Sequence, residues 1–196
     1  MSKSNDSTRP EFWNERYESG KTPWELHGVP ASLKAFIERS STGSVLVPGC
    51  GSGHEIEVFA QAGWDVTAID FSPPAVEQAK ARLGELGRHV VLGDFFNHDF
   101  GSRRFDVVYE RTFLCALPPN TWADYTARIS RLLNPAGLLA GIFLYGEEDE
   151  PPPYPLTEHT AKTLFGNSFT LTRTDPVIDS LPLFIGKEYW QEWRLR

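Results

Sequence analysis

The chain is short of sulfur, of basic charge and of long apolar runs. Its 196 residues include two cysteines, Cys50 and Cys115, and one methionine. Two cysteines make no disulfide framework, so stability must come from a packed core, which this length can supply within one domain. Acids outnumber bases, with a net charge of -7 and a pI near 5.2. That argues against a nucleic-acid partner, which requires a basic face. No run approaches membrane-spanning length, and residues 1–12 are polar without the apolar stretch of a secretory leader. Metal-ligand spacing and a G-x-S-x-G nucleophile turn are also missing. The expectation is a cytoplasmic protein acting on a small molecule, as a monomer or weak dimer, with neither membrane nor nucleic acid as partner.

Aromatic residues are plentiful instead. Six tryptophans and thirteen phenylalanines are many for this length, and the plain reading of them is core. Some should line an apolar pocket.

The most informative stretch is Val45-Leu46-Val47-Pro48-Gly49-Cys50-Gly51-Ser52-Gly53-His54-Glu55. A β-branched run, three alternate glycines and a helical pattern (Ile56, Phe59, Ala60) read as strand, tight turn and helix N-terminus. Such a turn brings bare backbone N–H groups to a ligand. Asp70 follows 21 residues after Gly49 and closes the run Trp64 to Ile69. An acid there suits the two hydroxyls of a ribose. A dinucleotide fingerprint would need a third glycine where His54 or Ile56 stands, which disfavours a nicotinamide oxidoreductase.

Strand–helix alternation predicts a doubly wound, mostly parallel sheet of seven strands in one domain. Residues 1–10 are expected to be a disordered tail and 11–28 an N-terminal lid, with a helical turn at Phe12–Tyr17. A helix near Pro30 presents Leu33, Phe36 and Ile37. Strands are expected at 45–47, 65–69, 90–92, 105–109, 138–145, 168–174 and 184–194. Helices are expected at 53–62, at 73–86 with Ser72 as N-cap, at 121–133 and at 158–164. The 121–133 helix should stop at Asn134-Pro135-Ala136-Gly137. The last two strands, with no helix between them, should form an antiparallel edge hairpin. Residues 147–155, with four acids and four prolines, read as a loop.

The G-x-G-x-G turn followed by Asp70 resembles the first two motifs of class I S-adenosylmethionine (SAM) methyltransferases, a Rossmann-like fold. Further motifs resemble the thiopurine methyltransferase superfamily, which includes thiol, thiocyanate and halide enzymes. They are Phe12-Trp13-Asn14-Glu15-Arg16-Tyr17 with Gly20-Lys21-Thr22-Pro23-Trp24, then Gly93-Asp94-Phe95-Phe96, Glu110-Arg111-Thr112-Phe113-Leu114-Cys115-Ala116-Leu117 and Pro152-Pro153-Tyr154. The resemblance implies SAM as cofactor, held by Trp13, Tyr17, Trp24, Gly49, Gly51, Gly53, Asp70, Phe71, Asp94, Phe95 and Arg111. It places the acceptor near Trp24, Phe113 and Tyr154, with Arg111 and Glu110 carrying catalysis. Tyr17 sits where plant halide and thiol enzymes tend to carry tryptophan, while Arg111 resembles the thiopurine branch.

Each residue also has a plainer reading. Asp70 could cap the helix behind Ser72, and Asp94 could serve a turn. Trp13 and Trp24 could be core, and Arg111 could pair with an acid. Cys115 reads as a small buried residue. The activity expected is methyl transfer to a small soft nucleophile: a thiol, thiocyanate, halide or thiopurine. A non-catalytic SAM-binding regulator and a plain interaction domain remain the alternatives.

Overall fold

The computed structural model describes residues 6–148 and 150–196. Seven strands form one sheet: β1 (Ser44–Pro48), β2 (Asp65–Asp70), β3 (Val90–Leu92), β4 (Phe105–Arg111), β5 (Leu133–Leu144), β6 (Phe169–Pro176) and β7 (Glu188–Leu195). Their order is β3-β2-β1-β4-β5-β7-β6. The pairs from β3 through β5 are parallel, and β7 runs antiparallel between β5 and β6. Chain order reverses between β1 and β4, so their carboxyl ends bound the crevice where open α/β sheets hold ligands.

The described residues form six α-helices: α1 (Pro10–Glu18), α2 (Ala31–Arg39), α3 (His54–Gln61), α4 (Pro73–Leu83), α5 (Trp122–Leu132) and α6 (Glu158–Phe165). Two buried apolar clusters lie on opposite faces of the sheet. One gathers Phe36, Phe59, Trp64, Tyr109 and Trp190, and the other Phe105, Tyr125, Phe143, Phe165 and Trp193. Tyr109 and Val108 on β4 point to different clusters, as alternation along a strand requires.

Several boundaries differ from expectation. The helical turn at 12–17 is a full helix from Pro10, with proline at its first turn where its missing N–H costs nothing. The disordered tail is expected to reach residue 10. Residues 1–5 lie outside the described residues, whereas Ser7 is buried and its carbonyl accepts the Trp13 indole N–H at 2.8 Å. The helix after Ser72 ends at Leu83 and tightens into a 3₁₀ segment, Gly84–His89. The fifth strand starts at Leu133 rather than 138, with a register shift opposite Phe105 and Val107 and Ala136 at φ +59°. The chain thus passes through Asn134-Pro135-Ala136-Gly137 as an irregularity inside a strand. Glu110 and Arg111, expected just after the fourth strand, are its last two residues and pair with Gly141 and Ile142. Strand hydrogen bonds hold them there although both are polar.

Candidate active site

The glycine loop leaves β1 at Pro48. Gly49 and Gly51 take φ values of +58° and +50°. A Cβ on Gly49 would stand 2.2 Å from the Phe113 ring, and one on Gly51 would stand 2.5 Å from the Tyr17 hydroxyl. Backbone and packing both demand glycine. Asp70, at the end of β2, accepts the Gly51 amide on Oδ2 and the Ser72 amide on Oδ1, each at 2.9 Å. Burial pushes its carboxyl up, and the Ser72 and Gly51 amides pull it back. Asp70 therefore fastens the loop to the start of α4, where Ser72 caps through the Ala75 amide. A carboxylate has about four lone-pair sites, so these amides leave acceptor capacity for a ligand.

The N-terminal segment lies over this loop. Asn14 Oδ1 accepts the Ser72 hydroxyl at 2.8 Å, and Gln78 Nε2 donates to the Tyr17 carbonyl at 2.9 Å, which ties α1 to α4. Glu25 accepts both the amide and the hydroxyl of Ser52. Trp13 and Trp24 meet edge to face at 5.4 Å, and Tyr17 meets Trp24 at 6.1 Å. Neither tryptophan belongs to the two main core clusters.

Between this cover and the sheet edge is a cavity of about 690 Å³. That lies within the range of about 300–1,000 Å³ for small-molecule and cofactor clefts. Of the residues expected at the cofactor, Trp13, Tyr17, Trp24, Gly49, Asp70, Phe71, Asp94 and Phe95 line it, as does Phe113 from the acceptor set. Asp94 accepts the Phe96 amide at 2.9 Å and the Asn97 side-chain amide, so it builds its turn as well as facing the cavity. Gly51, Gly53 and Arg111 line a smaller recess of about 40 Å³, which shares Tyr17, Trp24, Gly49 and Thr112 with the large cavity.

Glu110 and Tyr154 line neither space. Glu110 is 1% exposed. Its Oε1 accepts the Phe113 and Leu114 amides, each at 2.9 Å, and its Oε2 accepts the Tyr125 hydroxyl at 2.6 Å. Burial pushes its pKa up to about 7, against the pull of those three donors. The chain between turns sharply at Thr112, a β-branched residue at φ +57°. That conformation costs about 1–3 kcal/mol and needs external support. Glu110 provides it, and the turn sets the Phe113 ring over Gly49. Glu110, expected in a catalytic role, thus positions this wall from behind. Arg111 is bound to Glu55 at 3.3 Å, with both side chains mostly buried. Tyr154 donates its amide to the Cys115 carbonyl at 2.6 Å and packs on the core. Its neighbours Pro152 and Pro153 reach the cavity instead.

Sequence reasoning missed Phe12, Arg16, Thr112 and Phe184 on the lining. Phe12 and Arg16 lie inside a quoted motif. Phe184 sits between β6 and β7, where nothing local marks it.

A sequence model of the family described as Thiopurine S-methyltransferase (TPMT) matches residues 8–183. An Arabidopsis thaliana protein named "Probable thiol methyltransferase 2" is 31% identical over 150 residues, covering 72% of this chain and 66% of that protein. The Thiopurine S-methyltransferase of Vibrio parahaemolyticus is 28% identical, with 88% and 89% covered. Among solved structures, the Burkholderia thailandensis 1,6-didemethyltoxoflavin-N1-methyltransferase with bound substrate and S-adenosylhomocysteine superposes with a TM-score of 0.77, 22% identity, and 95% and 86% covered. That likeness supports the fold alone. With the family matched over nearly the whole length, the chain belongs to the thiopurine S-methyltransferase family and is a SAM-dependent methyltransferase.

Proposed function

We propose that the large cavity takes SAM at its glycine-loop end and a small soft nucleophile at its aromatic end, so that methyl passes to a thiolate, thiocyanate, halide or thiopurine sulfur. One observation carries this reading. Among the described residues, no histidine lines the cavity, and of the carboxylates that do, Asp70 and Asp94 are held by neighbouring amides while Glu15 is solvent-exposed on α1. No histidine is available there as a general base, which suits an acceptor that ionises by itself. SAM supplies an electrophilic methyl on a sulfonium. The chain's part is alignment and exclusion of water. Asp70 would take the ribose hydroxyls on its unused lone pairs, Asp94 and Phe95 the adenine, and Gly49, Gly51 and Gly53 the methionyl backbone. Arg111, in the adjoining recess, would meet the cofactor's carboxylate. The Trp13 and Trp24 rings offer faces suited to a sulfonium cation. The two buried free thiols fit a reducing cytoplasm, and the acidic balance fits a monomer or weak dimer that binds no nucleic acid.

Labelled SAM offered with a thiol, thiocyanate, iodide and a thiopurine should give turnover on at least one. Tight binding of S-adenosylhomocysteine with no transfer to any of them would leave a SAM-binding regulator and sink the proposal. Residues 11–28 are proposed as the lid. Adding S-adenosylhomocysteine should slow amide exchange there, and equal exchange with and without it would defeat the lid.

A further inference from the structure

The cation expected to face an anionic acceptor, Arg111, is bound to Glu55 beside the small recess. A different arginine lines the large cavity. Arg16, on α1, donates from Nη1 to the Phe12 carbonyl at 2.8 Å, and its guanidinium lies over the Phe12 ring, 3.4 Å from the centroid. Phe12 itself lines the cavity. These contacts set the plane of the guanidinium and leave most of its five donors uncommitted. Among the described residues, no carboxylate oxygen lies within ion-pairing distance of Arg16. Burial lowers its pKa, opposed by Glu15 beside it, yet a guanidinium stays charged at any working pH. Pro153 and Phe184 line the same cavity, as do Lys21 and the carboxylates of Glu15, Asp70 and Asp94.

We propose that Arg16 selects the acceptor, favouring a nucleophile that carries a full negative charge over a neutral one. This rests on the methyl-transfer reading above. A cation with no carboxylate in ion-pairing range among the described residues, set on an aromatic ring in a cleft, attracts an anion to its own end of that cleft. Product charge adds to the preference. When an anion attacks, its bond to the methyl carbon forms as the carbon–sulfur bond breaks. The electron pair stays on sulfur, and both products are neutral. A neutral acceptor becomes a cation beside Arg16, which like charge disfavours.

The test compares wild type with Arg16→Gln and Arg16→Lys. With thiocyanate or iodide, Arg16→Gln should lower kcat/KM about tenfold, mainly through KM, while transfer to neutral dimethyl selenide holds or rises. Lysine should recover part of the loss. A second readout needs no turnover. Trp64, Trp122, Trp190 and Trp193 are at most 6% exposed, so external quenchers report chiefly on Trp13 and Trp24. Iodide quenching should weaken in Arg16→Gln while acrylamide quenching stays unchanged. Equal iodide quenching in the two proteins overturns the assignment, whatever the turnover. So does weaker S-adenosylhomocysteine binding by Arg16→Gln, which would move Arg16 to the cofactor. A panel without any turnover, but with the iodide difference present, overturns the methyl-transfer reading and keeps Arg16 as an anion site.

Discussion

The end of β4 and the cover formed by α1 both border the crevice, and they treat ionisable groups in opposite ways. On β4, Glu110 holds three donors and Arg111 holds Glu55, all largely out of solvent. On the cover, Arg16 has a carbonyl and a ring for company but no carboxylate among the described residues. Buried charge is costly unless paired, so both β4 groups have their charge or protons answered by the fold, although Arg111 Nε is left without a partner. The cover is half-exposed, and its cation keeps capacity for a ligand. Polarity marks both sets alike. The difference between them is whether partners are already in place.

The comparison breaks most visibly at Glu110. Replacing it with alanine leaves two amides and a hydroxyl buried without an acceptor, at about 1–3 kcal/mol each. It also releases the Thr112 turn. Glu110→Ala should cost about 3 kcal/mol or more at pH 5, or about 6–12 °C in Tm. The pH dependence has a fixed sign. Between the ordinary glutamate value of 4.5 and about 7, folded Glu110 keeps a proton that the unfolded chain has lost. Its contribution is full below that window and falls as pH rises through it. Denaturant titrations at pH 5 and pH 7.5 should show the gap between wild type and variant narrowing. Matching stability at both pH values would put Glu110 back among the groups free for chemistry.

Glu110 also shows what a sequence can and cannot disclose. The sheet was readable because its signals are local and repeated: β-branched runs, proline after Ser72, glycines at 49, 51 and 53. The cofactor end was readable for the same reason, since Asp70 closes β2 and Asp94 follows β3 by two residues. The acceptor end was not. Its wall is assembled from Phe12, Pro153 and Phe184, far apart in the chain. Whether Arg111 faces the cavity or an acid depends on where Glu55 falls on α3, which is a tertiary fact.

Arg111 tests the committed side of the comparison again, with a slightly smaller effect. Arg111→Leu strands Glu55, at 7% exposed, without its cation. Breaking one partner of a buried pair costs about 3–5 kcal/mol, less where some solvent reaches it, as here. Adding Glu55→Gln should return most of that stability, since the buried charge is gone. Activity then separates the roles. If turnover returns with stability, the arginine served the fold. If stability returns while SAM affinity stays low, Arg111 also holds the cofactor's carboxylate, and the small recess is part of the site.

Tyr154 should give the smallest change and bounds the comparison from below. It was expected against the acceptor, yet its anchor is a backbone amide on the Cys115 carbonyl and its ring packs on the core. A backbone bond survives any side-chain change that keeps the ring's shape. Tyr154→Phe should therefore leave kcat/KM within about twofold for every acceptor, because removing one hydroxyl that meets no reacting atom costs little transition-state stabilisation. The same assay on Phe113→Ala, which opens the wall over Gly49, supplies the contrast. A drop of tenfold or more in Tyr154→Phe, confined to one acceptor, would show that the hydroxyl swings into the cavity when substrate binds. The boundary between fold-holding and ligand-facing groups would then pass on the other side of the 152–154 loop.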